Sequence, residues 1–181
     1  MALATYLALL RGINVGGRGT VRMEDLRALV AGLGHDRVQT YIQSGNVIFQ
    51  GEEAEPEAVA LAIEERMARD WGRAVPVLVL TAQRLAHAAN GNPFAGADPR
   101  TLHVTFLAGP PALERLAAIR AADHLPDAFR VVGREVYLHC PQGYGNTTLT
   151  NGFFEARLGV RATTRNWNTV TRLQGLVAAG A

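Results

Sequence analysis

Val38-Gln39-Thr40-Tyr41-Ile42, Gln43-Ser44-Gly45-Asn46 and Val47-Ile48-Phe49-Gln50 follow one another without a break. The outer segments are short runs of strand formers. The middle segment is a hairpin-type turn in which Gly45 and Asn46 tolerate positive φ. On the amino-terminal side, Met23 to Leu33 places Leu26, Leu29, Val30 and Leu33 at helical spacing, with Gly34 expected as its C-cap. On the carboxy-terminal side, Pro56 opens a helix to Trp71 with Val59, Ile63 and Met67 on one face. An apolar strand from Thr5 to Leu10 precedes this group and another, Pro76 to Leu80, follows it. Residues 5–81 therefore read β-α-β-β-α-β, the ferredoxin-like order.

The remainder repeats the order without obvious identity. Thr81 to Ala89 reads as a connecting helix, and Asn90 to Arg100 as a loop. Leu102 to Leu107 is a strand. Pro111 to Ala122 is a helix expected to turn Leu113, Leu116 and Ile119 inward. Phe129–Val132 and Val136–Cys140 form a hairpin across Gly133-Arg134. Asn151 to Leu158 is a short helix ended by Gly159, Val160 to Thr163 is extended, and Asn166 to Ala179 is a terminal helix. The expected fold class is α+β, two ferredoxin-like (βαββαβ) halves in tandem, each an antiparallel sheet with helices on one face. The first half spans residues 1–81 and the second, with the terminal helix, residues 82–181. One continuous mixed sheet is the alternative.

Composition bounds the function. The chain has 181 residues, 48% of them apolar, enough for a core and too apolar for disorder. No window of about 20 apolar residues lacks charge, so no membrane partner is expected. The N-terminus has no basic stretch of the kind that opens a secretory signal, so a cytoplasmic location is expected. Cys140 is the only cysteine, which excludes an internal disulfide and a cysteine zinc cluster. All 18 basic side chains are Arg, so neither a Lys Schiff base nor a P-loop Lys is available. The net charge is +2 and the pI 9.1. Residues 1–22 carry three Arg and no acid, and residues 141–181 four Arg against one acid. The interval between has eleven Arg against fifteen acids.

Three stretches carry possible chemistry. In the first, Arg11 to Thr20, glycines between a strand and a helix can present backbone N–H groups to an anion, with Arg11 and Arg18 as counter-charges. Asn14, Gly16 and Gly17 belong to it. Its spacing from Gly12 to Gly17 approaches a Walker A loop, but Arg18 and Gly19 stand where Lys and Ser/Thr are required, and Thr20 is one place late. The second is the hairpin tip, with Gln43, Ser44 and Asn46. Ser44, the only serine, is not in a nucleophile elbow and reads as a turn residue. The third joins Tyr144-Gly145-Asn146-Thr147-Thr148 to Thr163-Thr164-Arg165-Asn166-Trp167-Asn168-Thr169, where Thr164 or Asn166 would cap the last helix and Trp167 would stack on a base or sugar.

Other residues read as scaffold. The five histidines show no metal spacing, although His103 and His139 fall on strands and are expected to share a sheet face. No metal or other cofactor is expected. Cys140 reads as a small core residue, and the glutamates at 52, 53, 55, 57, 64 and 65 as a solvated face.

Tyr6-Leu7-Ala8-Leu9-Leu10-Arg11-Gly12-Ile13-Asn14-Val15-Gly16-Gly17, the segment Thr40 to Phe49, and Thr164-Arg165-Asn166-Trp167-Asn168-Thr169-Val170 together resemble a bacterial family catalogued as domain of unknown function 1697. The likeness spans nearly the whole chain. It implies a small soluble protein with two ferredoxin-like halves, and it implies no activity. Relatives often carry Lys where Arg18 stands, and Arg keeps the charge with a different donor geometry.

The residues favour a binding protein for a phosphorylated or anionic ligand, with Arg11, Asn14, Gly16, Gly17, Arg18, Gln43, Ser44, Asn46, Arg165, Asn166, Trp167, Asn168 and Thr169 lining the site. A nucleotide, another phosphate-bearing ligand or single-stranded nucleic acid are the partners this chemistry fits. The alternatives are an enzyme acting on a small polar or phosphorylated substrate, and an interaction module that assembles as a homodimer.

Overall fold

The computed structural model describes residues 2–16 and 20–180. It contains two four-stranded antiparallel sheets. The chain divides into two compact units, Met1–Ala86 with Leu173–Ala181, and His87–Arg172.

The first half of the chain runs β1 (Leu3–Leu10), α1 (Met23–Ala31), β2 (Asp36–Tyr41), β3 (Asn46–Glu52), α2 (Pro56–Trp71), β4 (Val77–Thr81) and α3 (Ala82–Asn90). Strand order is β2-β3-β1-β4, with Leu9 opposite both Asn46 and Leu78. This is the ferredoxin-like arrangement. Alternation on β1 sends Tyr6, Ala8 and Leu10 to one face, where they join Val47, Phe49, Val77 and Val79. Leu26, Leu29 and Val30 of α1 and Val59, Ile63 and Met67 of α2 close that core.

The second half of the chain continues with β5 (Leu102–Leu107), α4 (Leu113–Ala117), β6 (Ala128–Val132), β7 (Glu135–His139), α5 (Asn151–Leu158), β8 (Ala162–Asn166) and α6 (Trp167–Ala178). Its strand order, β6-β7-β5-β8, repeats the first. Leu107, Val136, Leu138, Cys140, Leu149, Phe154 and Leu158 form its core. Cys140 is fully buried, and burial pushes its thiol up to about 11.

Equivalent hydrogen bonds recur within each half. Leu10 N donates to Gly45 O at 2.8 Å and Arg11 N to Pro76 O at 2.9 Å; Leu107 N donates to Arg134 O and Ala108 N to Arg161 O, both at 2.9 Å. The first N–H of β4, on Val77, is held by Glu64 Oε1 at 2.8 Å, and that of β8, on Ala162, by Glu155 Oε1 at 3.0 Å. Thr81 Oγ1 accepts from Arg84 N at 3.2 Å where α3 begins, and Asn166 Oδ1 from Thr169 N at 2.8 Å where α6 begins. Left-handed glycines end α2 and α5, at Gly72 (φ 64°) and Gly159 (φ 70°). The βαββαβ unit is therefore duplicated, with the last helix of each half included.

Several expectations are corrected. Helix α1 ends at Ala31, and Gly32, not Gly34, caps it in ordinary helical φ; Gly34, at φ 88°, then reverses the chain. At the hairpin the positive φ values fall on Ile42 (49°) and Gly45 (78°), and Asn46 is already the first residue of β3. The helix expected from Pro111 to Ala122 is regular only over Leu113–Ala117, because Arg120 is extended and a 3-10 turn follows at Ala121–His124. Leu113 is 77% exposed, while Ile119 is buried. His103 opposes Leu138 and His139 opposes Leu102, so the two histidines point to opposite faces. Among the described residues no helix is long and apolar enough to cross a membrane.

Candidate functional site

Duplication shows what the scaffold itself requires. Five residues, Ala108–Ala112, are enough to join β5 to α4, yet Arg11–Arg22 intervene between β1 and α1. Gly133-Arg134 suffice between β6 and β7, while Ile42–Gly45 separate β2 from β3. Both enlargements lie at one end of the first sheet, where β1 and β2 finish and β3 and β4 begin.

The side chain of Asn14 ties them together. Its Oδ1 accepts from Val21 N at 2.7 Å, and its Nδ2 donates to Val21 O at 3.0 Å and to Gln43 O at 2.9 Å. Ile13 and Val21 are buried in the core beneath. Backbone φ is positive at Gly12 (72°), Asn14 (55°) and Gly16 (67°), and at neither Ile13 nor Val15. Positive φ at every second residue is one element of the backbone pattern found in N–H concavities that receive anions. Gly17 and Arg18 lie outside the described residues.

At the hairpin, Asn46 Nδ2 donates to Tyr41 O and Ser44 Oγ, each at 3.0 Å. Ser44 is thus bound into its own turn, as its sequence context implies. Gly45 packs so closely that a Cβ there would come within 2.7 Å of both Ile13 Cδ1 and Leu10 Cβ. Ile42 is 48% exposed, β-branched and left-handed, a combination that ordinary turns avoid.

Beside this end lies a depression of about 340 Å³ lined by Thr20, Val21, Asp25, Trp71 and Arg73. Asp25 accepts from Arg22 Nε and NH2, both at 2.8 Å, and that pairing lowers the carboxylate's proton affinity. Sequence reading reached Thr20 and missed Val21, Asp25, Trp71 and Arg73. Trp71 and Arg73 flank the glycine that ends α2, and only the antiparallel order of β4 against β1 carries them beside the loop.

The third stretch belongs to the second unit. Asn166 caps α6 as one of the two expected residues. It pairs across the sheet with His103, and His103 stacks on Tyr144 with centroids 4.6 Å apart. Thr164 Oγ1 lies 2.7 Å from Thr105 Oγ1 and 2.6 Å from Asn151 Oδ1. These contacts bring Tyr144 and the Thr163–Thr169 segment to one end of the second sheet. Arg165 bonds Thr163 Oγ1 and Thr164 O, and burial pulls its guanidinium down to about 10. Trp167 is half-buried, Asn168 exposed and Thr169 buried. Among the described residues no group of three or more His, Cys, Asp or Glu could hold a metal ion.

Fold and site define a tandem ferredoxin-like protein of two halves, of which the first is elaborated at one end by a pinned, glycine-rich loop. The chain belongs to the family described as protein of unknown function (DUF1697), whose model matches residues 3–137. It is also similar to the solved structure of a conserved bacterial protein from Streptococcus pneumoniae. That likeness has a TM-score of 0.74 at 21% identity and covers 96% of this chain and 98% of the other. It bears on the fold alone. No curated protein matches the chain.

Proposed function

We propose that the protein binds a phosphorylated or otherwise anionic ligand at the end of the first sheet formed by the Arg11–Gly16 loop and the Ile42–Asn46 turn. The observation that carries this reading is the length of the loop beside its duplicate. The same junction is made by Ala108–Ala112 in the second half, so the longer connection is not a requirement of the scaffold. It is nonetheless fixed by three hydrogen bonds from one side chain. Alternating φ at Gly12, Asn14 and Gly16 supports an anion as the occupant. The left-handed Ile42 adds a strained residue at the same place, where functional sites tend to hold such residues.

Titration with inorganic phosphate, nucleotides and short oligonucleotides at two salt concentrations tests the reading. Binding that weakens as salt rises supports it, and salt-indifferent nucleic-acid binding contradicts the phosphate argument. Arg11→Ala is expected to weaken binding about tenfold or more, the effect of one lost charge-assisted contact. Arg165→Ala, measured in parallel, reads whether the second unit contributes to the same ligand.

A further inference from the structure

Glu64 and Glu155 hold the equivalent first amides of β4 and β8, so the residues two places on, Arg66 of α2 and Arg157 of α5, stand at equivalent positions. In the first half that guanidinium has a carboxylate. Arg66 Nε donates to Asp70 Oδ2 at 2.6 Å, and its NH1 reaches Gly32 O, at the end of α1, at 3.4 Å. In the second half the carboxylate has no counterpart. Helix α2 runs on to Trp71, whereas α5 ends at Leu158, and the residue four places beyond Arg157 is Arg161. Among the described residues no carboxylate pairs with Arg157, whose guanidinium lies instead over the Phe153 ring, 5.6 Å from its centroid. Stacking occupies the face of the guanidinium and leaves its N–H edge for hydrogen bonds.

Arg157 and Phe153 line a cleft of about 100 Å³ together with Ile119, Arg120, Asp123 and His124, all within the His87–Arg172 unit. Drug-sized ligands need about 300–1,000 Å³, so this cleft suits a small group. Arg120 and Asp123 are 3.9 Å apart, at the limit of ion-pair reach. With the imidazole neutral, two guanidiniums and one carboxylate leave the lining one net positive charge, which a monoanion cancels and a phosphate dianion overshoots. His124 Nδ1 lies 2.8 Å from Thr148 Oγ1, so Nε2 is the ring atom left for a ligand. Ile119 is buried and Phe153 half-buried, which gives the same cleft an apolar wall. We propose that the cleft binds the carboxylate of a small organic acid, held on the N–H edge of Arg157 as Asp70 is held on Arg66, with the acid's alkyl part against Ile119 and Phe153. Arg binds carboxylates well through its planar fork of N–H donors. This site is separate from the one proposed on the first sheet and does not depend on it.

Butyrate, its neutral amide butyramide and inorganic phosphate, each added to the unmodified protein at constant ionic strength, test the proposal by two-dimensional NMR. Butyrate is expected to shift the amides of residues 118–124 and 153–157 saturably, and to bind there at least about tenfold more tightly than butyramide. Phosphate is expected to bind there more weakly than butyrate. Arg157→Met keeps an unbranched side chain beside Phe153 and is expected to lose the butyrate response. The unmodified protein decides whatever the variant's folding. Equal affinity for butyrate and butyramide, or butyrate shifts that spare these residues, would overturn the proposal. Phosphate binding there as tightly as butyrate would overturn the carboxylate assignment. The readout is residue by residue, so a silent cleft leaves the first-sheet reading standing.

Discussion

The side chain of Asn14 joins the glycine-rich loop to the hairpin through Gln43 O. Its two parts separate by substitution. Asn14→Gly keeps the left-handed φ without strain and removes only the hydrogen bonds, at a cost of about 1–3 kcal/mol for the polar groups they leave. Amide exchange should accelerate at Val21 in this variant, and unchanged protection there would mean that the loop is held by other contacts. Gly45 lies under the same loop. Gly45→Ala adds a methyl against Ile13 and Leu10 at φ 78°, so overpacking and backbone strain together should cost roughly 2–4 kcal/mol in denaturant unfolding. Ile42 points the other way. It is exposed and left-handed, so Ile42→Gly should raise stability by about 1 kcal/mol while loosening the turn. A loss of stability on that substitution would show that the Ile42 side chain has a packing role. Two histidines set the acid response. Burial lowers the proton affinity of His35 and of His103, so each favours the folded state when neutral. Stability from both is present above about pH 6.5, the ordinary histidine value, and falls as pH drops through their lower folded values. Denaturant midpoints between pH 7 and 5 should therefore decline less in the His35→Gln, His103→Gln double variant than in the parent.

At the scale of elements, the caps and pins recur in both halves. Thr81→Ala and Asn166→Ala should each cost about 1 kcal/mol by removing one helix N-cap, and differential scanning calorimetry reads both directly. Most of this layer was legible in the sequence. The strand at Thr5–Leu10, the helix at Pro56–Trp71 and the hairpin across Gly133-Arg134 announce themselves through apolar runs, a proline start and a positive-φ glycine. Errors came where a local signal competes with a neighbour. Gly32 and Gly34 both follow α1, and periodicity alone cannot say which one caps it. Leu113 has helical spacing from Leu116, but the helix is too short for its first turn to face inward. His103 and His139 were expected to share a face because each falls on a strand, and register, which the sequence does not specify, separates them.

For the whole molecule, the duplication was visible as a recurring order of elements and invisible as sequence identity. What it conserves is hydrogen-bonding function: threonine and asparagine cap equivalent helices, and the glutamates on α2 and α5 hold equivalent strand amides. The duplicate in turn isolates what is particular to the first half, the long β1–α1 connection and the wider hairpin. Four of the five residues around the depression escaped sequence reading: Val21 falls one place past the glycine-rich stretch, and Asp25, Trp71 and Arg73 come from helix ends that only the folded sheet brings beside the loop. Amide chemical shifts, followed by two-dimensional NMR while inorganic phosphate and then AMP are added at low salt, address the anion site most directly. Shifts concentrated in residues 11–22 and 41–46 are the predicted result. An unresponsive spectrum, or one whose changes fall elsewhere in the chain, would contradict it.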